Sequence, residues 1–230
     1  MTLLRTDRAD DEVRDHVRLL HGVQPYVHNY YTDEMFYREA DGGVLLNLYD
    51  QRVLRVSEDF ISAIQAGLEE EVGDAAGEVM YRCGYQWGIE DTKRFSRRFQ
   101  KEFEVDFSKA GMGFMLETWW WPLTIEGWGT WRYDFTHGKQ GLIFVDLYES
   151  AVARSLGALG QVVCHFYAGL FAATFSNLAQ RKLESIEIQC YAMGEDYCKF
   201  LVATDKRVNA AEFWRSEGAS AKDILKKIGD

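Results

Sequence analysis

Residues 183–203 read "LESIEIQCYAMGEDYCKFLVA". Two apolar-rich runs flank a Met-Gly-Glu-Asp turn, which is the pattern of an antiparallel hairpin centred near Gly194. Cys190 and Cys198 then stand four residues away on either side, and residues so paired bring their Cβ atoms to about 5 Å. In a reducing compartment a thiol pair held in this way is placed to grip a soft metal ion. A third thiol, Cys164, opens the apolar run "QVVCHFYAGLFAATFSNL" at 161–178. Glu187, Asp196 and His165 are candidates for a fourth ligand. Glu187 and Cys190 are three apart, so a regular strand puts them on opposite faces. If both serve one ion, a bulge or irregular turn must lie between them.

Composition narrows the function classes. The chain has 230 residues, 47% of them hydrophobic, enough for a sizeable core. A net charge of −10 argues against non-specific nucleic-acid binding, which needs a basic surface, and against electrostatic docking on anionic lipid. Residues 1–20 are charged and lack the apolar core of a secretory signal, and no apolar run is long enough for a membrane span. A cytoplasmic protein with reduced thiols is therefore expected, and a disulfide framework is not.

Working outward from the hairpin, residues 9–21 have a helical apolar face, and 22–43 read as irregular structure ending in a turn at Asp41-Gly42-Gly43. Residues 44–56 read as a short hairpin. Ser57 offers a cap to a helix whose apolar face is Phe60, Ile61, Ile64 and Leu68. Further helices are expected over 74–98 and 108–119, with Cys83 as a core thiol on the first of them. "TIEGWGTWRYDF" and "GLIFVDLYE" read as an antiparallel strand pair, 161–178 as a buried helix, and 209–216 and 220–228 as closing helices. Helices first, then a sheet enclosing one buried helix, give an α+β fold. Nothing marks an internal linker, so one domain over 44–204 is expected, with a helical extension at 1–43 and a helical tail at 205–230.

The stretch "CHFYAGLFAATFSNLAQRKLESIEIQCYAMGEDYCKF" resembles the signature of the 4-vinyl reductase domain family of hydrocarbon-binding proteins. The matching positions are Cys164, Gly169, Glu187, Cys190, Gly194 and Cys198. The resemblance is strong over 141–203, weaker back to about residue 44, and does not reach 1–43 or 205–230. It implies an antiparallel sheet packed with helices, related to vesicle-tethering subunits and to the haem-NO-binding-like fold. It also implies a structural zinc ion held by Cys164, Glu187, Cys190 and Cys198, which would stabilise the C-terminal hairpin. Three thiolates and a carboxylate leave no open position for a water.

Family members hold an apolar ligand between helices and sheet, and an aromatic-rich segment is present at the right place. Phe114, Met115, Trp119, Trp128, Trp131, Phe144 and Tyr148 are the expected lining, close to the run Trp119-Trp120-Trp121. As a group they favour a large aromatic or polycyclic ligand. Phenol sensors of the family carry a His and a Trp where this chain has Met115 and Tyr148. Simple phenol is thereby disfavoured and a larger ligand such as a tetrapyrrole favoured.

Independent catalysis is not expected. "GMGFML" has Leu116 where a dinucleotide fingerprint needs its third glycine, and neither a P-loop nor a nucleophile elbow is present. The resemblance thus implies a zinc-stabilised binding protein, expected as a homodimer whose output passes through a protein partner. Its alternatives are a tetrapyrrole-binding accessory factor in (bacterio)chlorophyll biosynthesis and a dimeric scaffold.

Overall fold

The computed structural model describes residues 37–229, apart from residues 41, 48–49, 105 and 107–108. The helix expected over 9–21 lies outside the described residues. The chain forms two compact units. One comprises the described residues up to Ser57 together with Arg94–Gly127, and the larger one Glu58–Lys93 and Trp128 onward.

In the smaller unit β1 (Tyr37–Ala40), β2 (Val44–Asn47) and β3 (Arg52–Val53) form an antiparallel sheet in sequence order. The hairpin expected over 44–56 is present and gains a strand from the segment read as irregular. Residues 37–40 pair along β2 because Gly42 and Gly43 both adopt positive φ, which only glycine takes at little cost. The β2–β3 turn is closed by Asn47, whose side chain accepts from the Gln51 amide and donates to the Gln51 side chain.

α1 (Asp59–Val72) opens without a side-chain cap, so Ser57 does not play the expected part. Its faces also differ from the expected ones. Phe60 and Ile64 are 47% and 42% exposed, and Gln65 is the buried residue. α2 (Ala76–Phe103) runs five residues beyond the expected end, and Cys83 is exposed on it rather than a core thiol. α3 (Met112–Ile125) runs through Pro122, so the three consecutive tryptophans are helical.

The larger unit is built on a four-stranded antiparallel sheet in the order β4-β5-β7-β6. The strands are β4 (Thr130–Asp134), β5 (Ile143–Tyr148), β6 (Glu184–Gln189) and β7 (Cys198–Ala203). A short helix, α4 (Ala151–Leu156), follows β5 and is capped by the Ser150 hydroxyl, which accepts from the Ala153 amide. α5 (His165–Ala179) is the expected buried helix, with every residue from Tyr167 to Phe175 inside. It packs on the face carrying Trp131 and Phe200, whose rings meet Phe171 edge to face at 5.6 and 4.9 Å.

The opposite face carries Phe144, Ile186, Ile188 and Leu201. It is covered by α6 (Asp205–Ser216) and α7 (Ala221–Gly229) through Val208, Ala211, Ile224 and Ile228. Residues 205–230 are therefore part of the larger unit's core. The compact units cross both expected boundaries, since β1 pairs with β2 across residue 43. α2 and α5 cross so closely that a Cβ on Gly84 or Gly169 would lie 1.9 Å from the carbonyl oxygen of Phe166 or Tyr81. Among the described residues no helix is long and apolar enough to cross a membrane.

Candidate metal centre

β6 and β7 pair Glu187 with Phe200, but Gln189 with Lys199. Two steps on β6 thus match one on β7, and Ile188 is the extra residue. This bulge is the irregularity that the Glu187–Cys190 spacing demands. It turns Glu187 and Cys190, three apart, onto one face of the sheet, where Cys198 also points. Cys190 then leads into a single 3₁₀ turn at Tyr191–Met193, and Gly194 closes it with φ +90°. Cys164 arrives from the other side, as the cap residue of α5.

The ligand atoms of Cys164, Glu187, Cys190 and Cys198 all lie within 4.8 Å of one another. The Sγ atom of Cys198 is 3.7 Å from that of Cys164 and 3.7 Å from that of Cys190. Two thiolates about 2.3 Å from a tetrahedral zinc ion are about 3.8 Å apart, so the sulfurs already have zinc spacing. All three cysteines are wholly buried, and Glu187 is 2% exposed. Its Oε2 accepts from the amides of Val163 and Cys164 at 3.1 and 2.7 Å. Its Oε1 has no hydrogen-bond partner. A buried carboxylate oxygen without a donor fits a cation beside it.

Electrostatics points the same way. Burial pushes the Cys164 thiol and the Glu187 carboxyl well up. Hydrogen bonds from the Cys164 and Cys198 thiols bring Cys190 down to about 2. Cys198 is raised, because the Cys190 contact and burial outweigh the lowering by Cys164. Without a cation the four groups hold one negative charge between them. A cation is needed before all four ionise.

Residues that spacing alone did not single out support the set. The Arg215 guanidinium donates to the Glu187 carbonyl at 2.8 Å and steadies the bulge. The Ser150 hydroxyl lies 3.3 Å from the Cys164 sulfur, and Ser150 was findable as a cap just before "AVARSL". Leu159 and Gly160 both donate to the Ala192 carbonyl and tie the approach to Cys164 onto the hairpin turn. Of the other candidates, His165 packs against Gly77, and burial lowers its basicity. His137 bonds Gln140. Asp196 is not in the cluster.

The aromatic residues expected to line a pocket do not form one set. Phe114, Met115 and Trp119 are buried in the smaller unit, with Trp119 stacked on Phe95 at 4.6 Å and Phe114 beside Phe99 and Phe103. In the larger unit, strand alternation puts Phe144 and Tyr148 on the face opposite Trp131. Phe144 joins the core under α6 and α7, and Tyr148 stacks on Tyr197. Trp131 packs on Tyr167. Trp128 is half-buried and nearly parallel to two other half-buried rings, Trp87 at 5.6 Å and Phe166 at 5.8 Å.

Residues 143–204 match the family model of the vinyl-4-reductase (V-4-R) domain. Two uncharacterized proteins of Methanocaldococcus jannaschii are similar to parts of the chain. One is 38% identical over 50 residues, which is 22% of this chain and 29% of that protein. The other is 32% identical over 90 residues, 37% of this chain and 56% of that protein. The matches thus span under a third and just over half of those relatives. Among solved structures, the phenol-responsive sensory domain of the transcription activator PoxR with phenol superposes with a TM-score of 0.58. It is 20% identical and covers 89% of this chain and 96% of that one, a likeness of fold.

Proposed function

From residues 143–204, which belong to the vinyl-4-reductase domain family, we propose that the chain is a zinc-stabilised binding protein for a small hydrophobic, aromatic or polycyclic ligand. The observation that carries the metal half is the Cys164–Glu187–Cys190–Cys198 cluster, with sulfurs at zinc spacing and an orphaned carboxylate oxygen. Those four residues would hold the ion, and bound zinc would supply a closed structural cross-link rather than a reactive centre. The chain's own part is to present the ligands. The β6 bulge aims two of them, the α5 cap supplies the third, β7 the fourth, and Arg215 holds the bulge.

The ligand half is supported by the fold shared with a domain solved with phenol, and by Trp128, Trp87 and Phe166. Three near-parallel, half-buried rings offer flat apolar area, which suits an extended planar ligand more than a single small ring. The same feature favours a tetrapyrrole as the second reading. No catalytic step is assigned to the chain. The family resemblance supports a homodimer whose output passes through a protein partner. Metal analysis of the purified protein tests the first half and expects one zinc per chain. A ligand series read by tryptophan fluorescence tests the second, with polycyclic compounds expected to bind more tightly than phenol.

A further inference from the structure

Apart from the metal cluster and the aromatic segment, the larger unit carries a cleft of about 1380 Å³ along α1, the start of α2, the start of α5, β6 and α6. Two side chains in its wall are almost wholly buried and still have an atom without a partner. Gln65 is 3% exposed. Its Nε2 donates to Glu69 Oε1 at 3.1 Å, so its carbonyl oxygen is the atom left over, and it accepts nothing. Ser185 is 4% exposed, and its hydroxyl likewise has no partner.

The setting of Gln65 is telling. α1 turns this amide inward while Phe60 and Ile64 face outward, the reverse of what burial alone would select. Buried polar atoms without partners are rare and call for a function or a ligand.

Charge around the cleft identifies the chemistry. Glu78, Glu184 and Glu212 are matched by Arg82, Lys182 and Arg215 at 2.8, 2.7 and 4.0 Å. Glu69, Asp74 and Asp205 form no ion pair among the described residues. The cleft therefore offers surplus negative charge, a free carbonyl oxygen and a free hydroxyl. An anion would meet these carboxylates unfavourably. An alkyl-ammonium group complements them, with one positive charge and three donors.

We propose that this cleft is a second binding site, for a small polyamine, with Gln65, Ser185 and Glu69 as its ammonium-binding groups. The site is independent of the metal cluster and of the apolar ligand. Its test is calorimetric titration of the full-length, metal-loaded protein with spermidine. Saturable binding at one site is expected. Gln65→Met, of similar volume but without the carbonyl, and Glu69→Gln, at an exposed position, should each weaken it at least tenfold. Glu90→Gln removes an exposed charge of α2 outside the cleft and should leave binding unchanged. If Gln65→Met fails to fold, Glu69→Gln and Ser185→Ala carry the same comparison. The site is overturned if spermidine does not saturate, if the cleft variants bind it like the parent, or if Glu90→Gln weakens it equally. A tetralysine peptide that binds where spermidine does not would overturn the small-polyamine assignment.

Discussion

The Cys164 amide donates to Glu187 Oε2 at 2.7 Å, so the carboxylate that points into the thiol cluster also fixes the start of α5. One oxygen serves the backbone, and the other is buried without a partner. This division of labour makes the two roles of Glu187 separable by substitution.

Glu187→Gln keeps an oxygen for the Val163 and Cys164 amides and removes the charge. It is expected to fold and to hold zinc at least about tenfold more weakly, measured by competition with a chromophoric chelator. Cys190→Ala opens the closed set. It should lose the metal and more than about 3 kcal/mol of unfolding free energy. Undiminished zinc content in Cys190→Ala would show that the four residues are not the ligand set.

The metal-free protein should show little change of stability with pH between 4.5 and 9. Burial keeps the Glu187 proton on in the folded chain, whereas the unfolded chain releases it near 4.5, so this group costs stability as pH rises above 4.5. Cys190 works the other way. Its ordinary value of 9.0 falls to about 2 in the fold, so its contribution is full above 9 and is lost as pH falls toward 2. Each slope is one proton, and they cancel. Zinc binding must displace the protons on Cys164, Cys198 and Glu187, so affinity should fall by up to about a thousandfold per unit of acidification. Melting temperatures with zinc and with chelator, taken across this range, measure both slopes. A metal-loaded melting temperature that ignores pH would contradict the proton count.

Gly84→Ala and Gly169→Ala each set a methyl group 1.9 Å from a backbone oxygen of the facing helix. Neither helix can yield without disturbing the core, so each should cost about 3 kcal/mol or more in urea unfolding. Gly67, also helical, has nothing within 4 Å of its added Cβ. Gly67→Ala should instead stabilise the protein by up to about 1 kcal/mol through helix propensity. Similar effects at all three positions would refute the close crossing of α2 and α5.

Trp128→Ala should weaken a polycyclic ligand by about tenfold, or 1.4 kcal/mol, since it removes a flat wall worth about 25 cal/mol per Å² of apolar area. Tyr148→Ala, on the other sheet face, should change binding little. Titrations followed by tryptophan fluorescence separate the two. Phenol binding as tightly as the large compounds would remove the shape basis of the ligand reading.

Much of the metal centre was legible in the chain. Cys190 and Cys198 are related by a local hairpin, and a turn around Gly194 fixes which residues stand opposite each other. The demand for a bulge followed from the three-residue step between Glu187 and Cys190, because strand alternation has period two. The buried helix was legible because residues 167–175 are apolar all round. What the sequence did not determine is which of Glu187, Asp196 and His165 completes the cluster, since that depends on how α5 meets β6 across more than 20 residues of chain. Nor could it divide the aromatic segment. Phe144, Tyr148 and Trp131 look alike as residues, and only the register of β4 with β5 sends Trp131 to one face and the other two to the opposite face. Gln65 is the clearest case. Helical periodicity assigns α1 a Phe60–Ile64 core face, yet tertiary packing buries the amide beside it and leaves those side chains substantially exposed. Propensity and pattern act along the chain, whereas burial is decided by the partner surface.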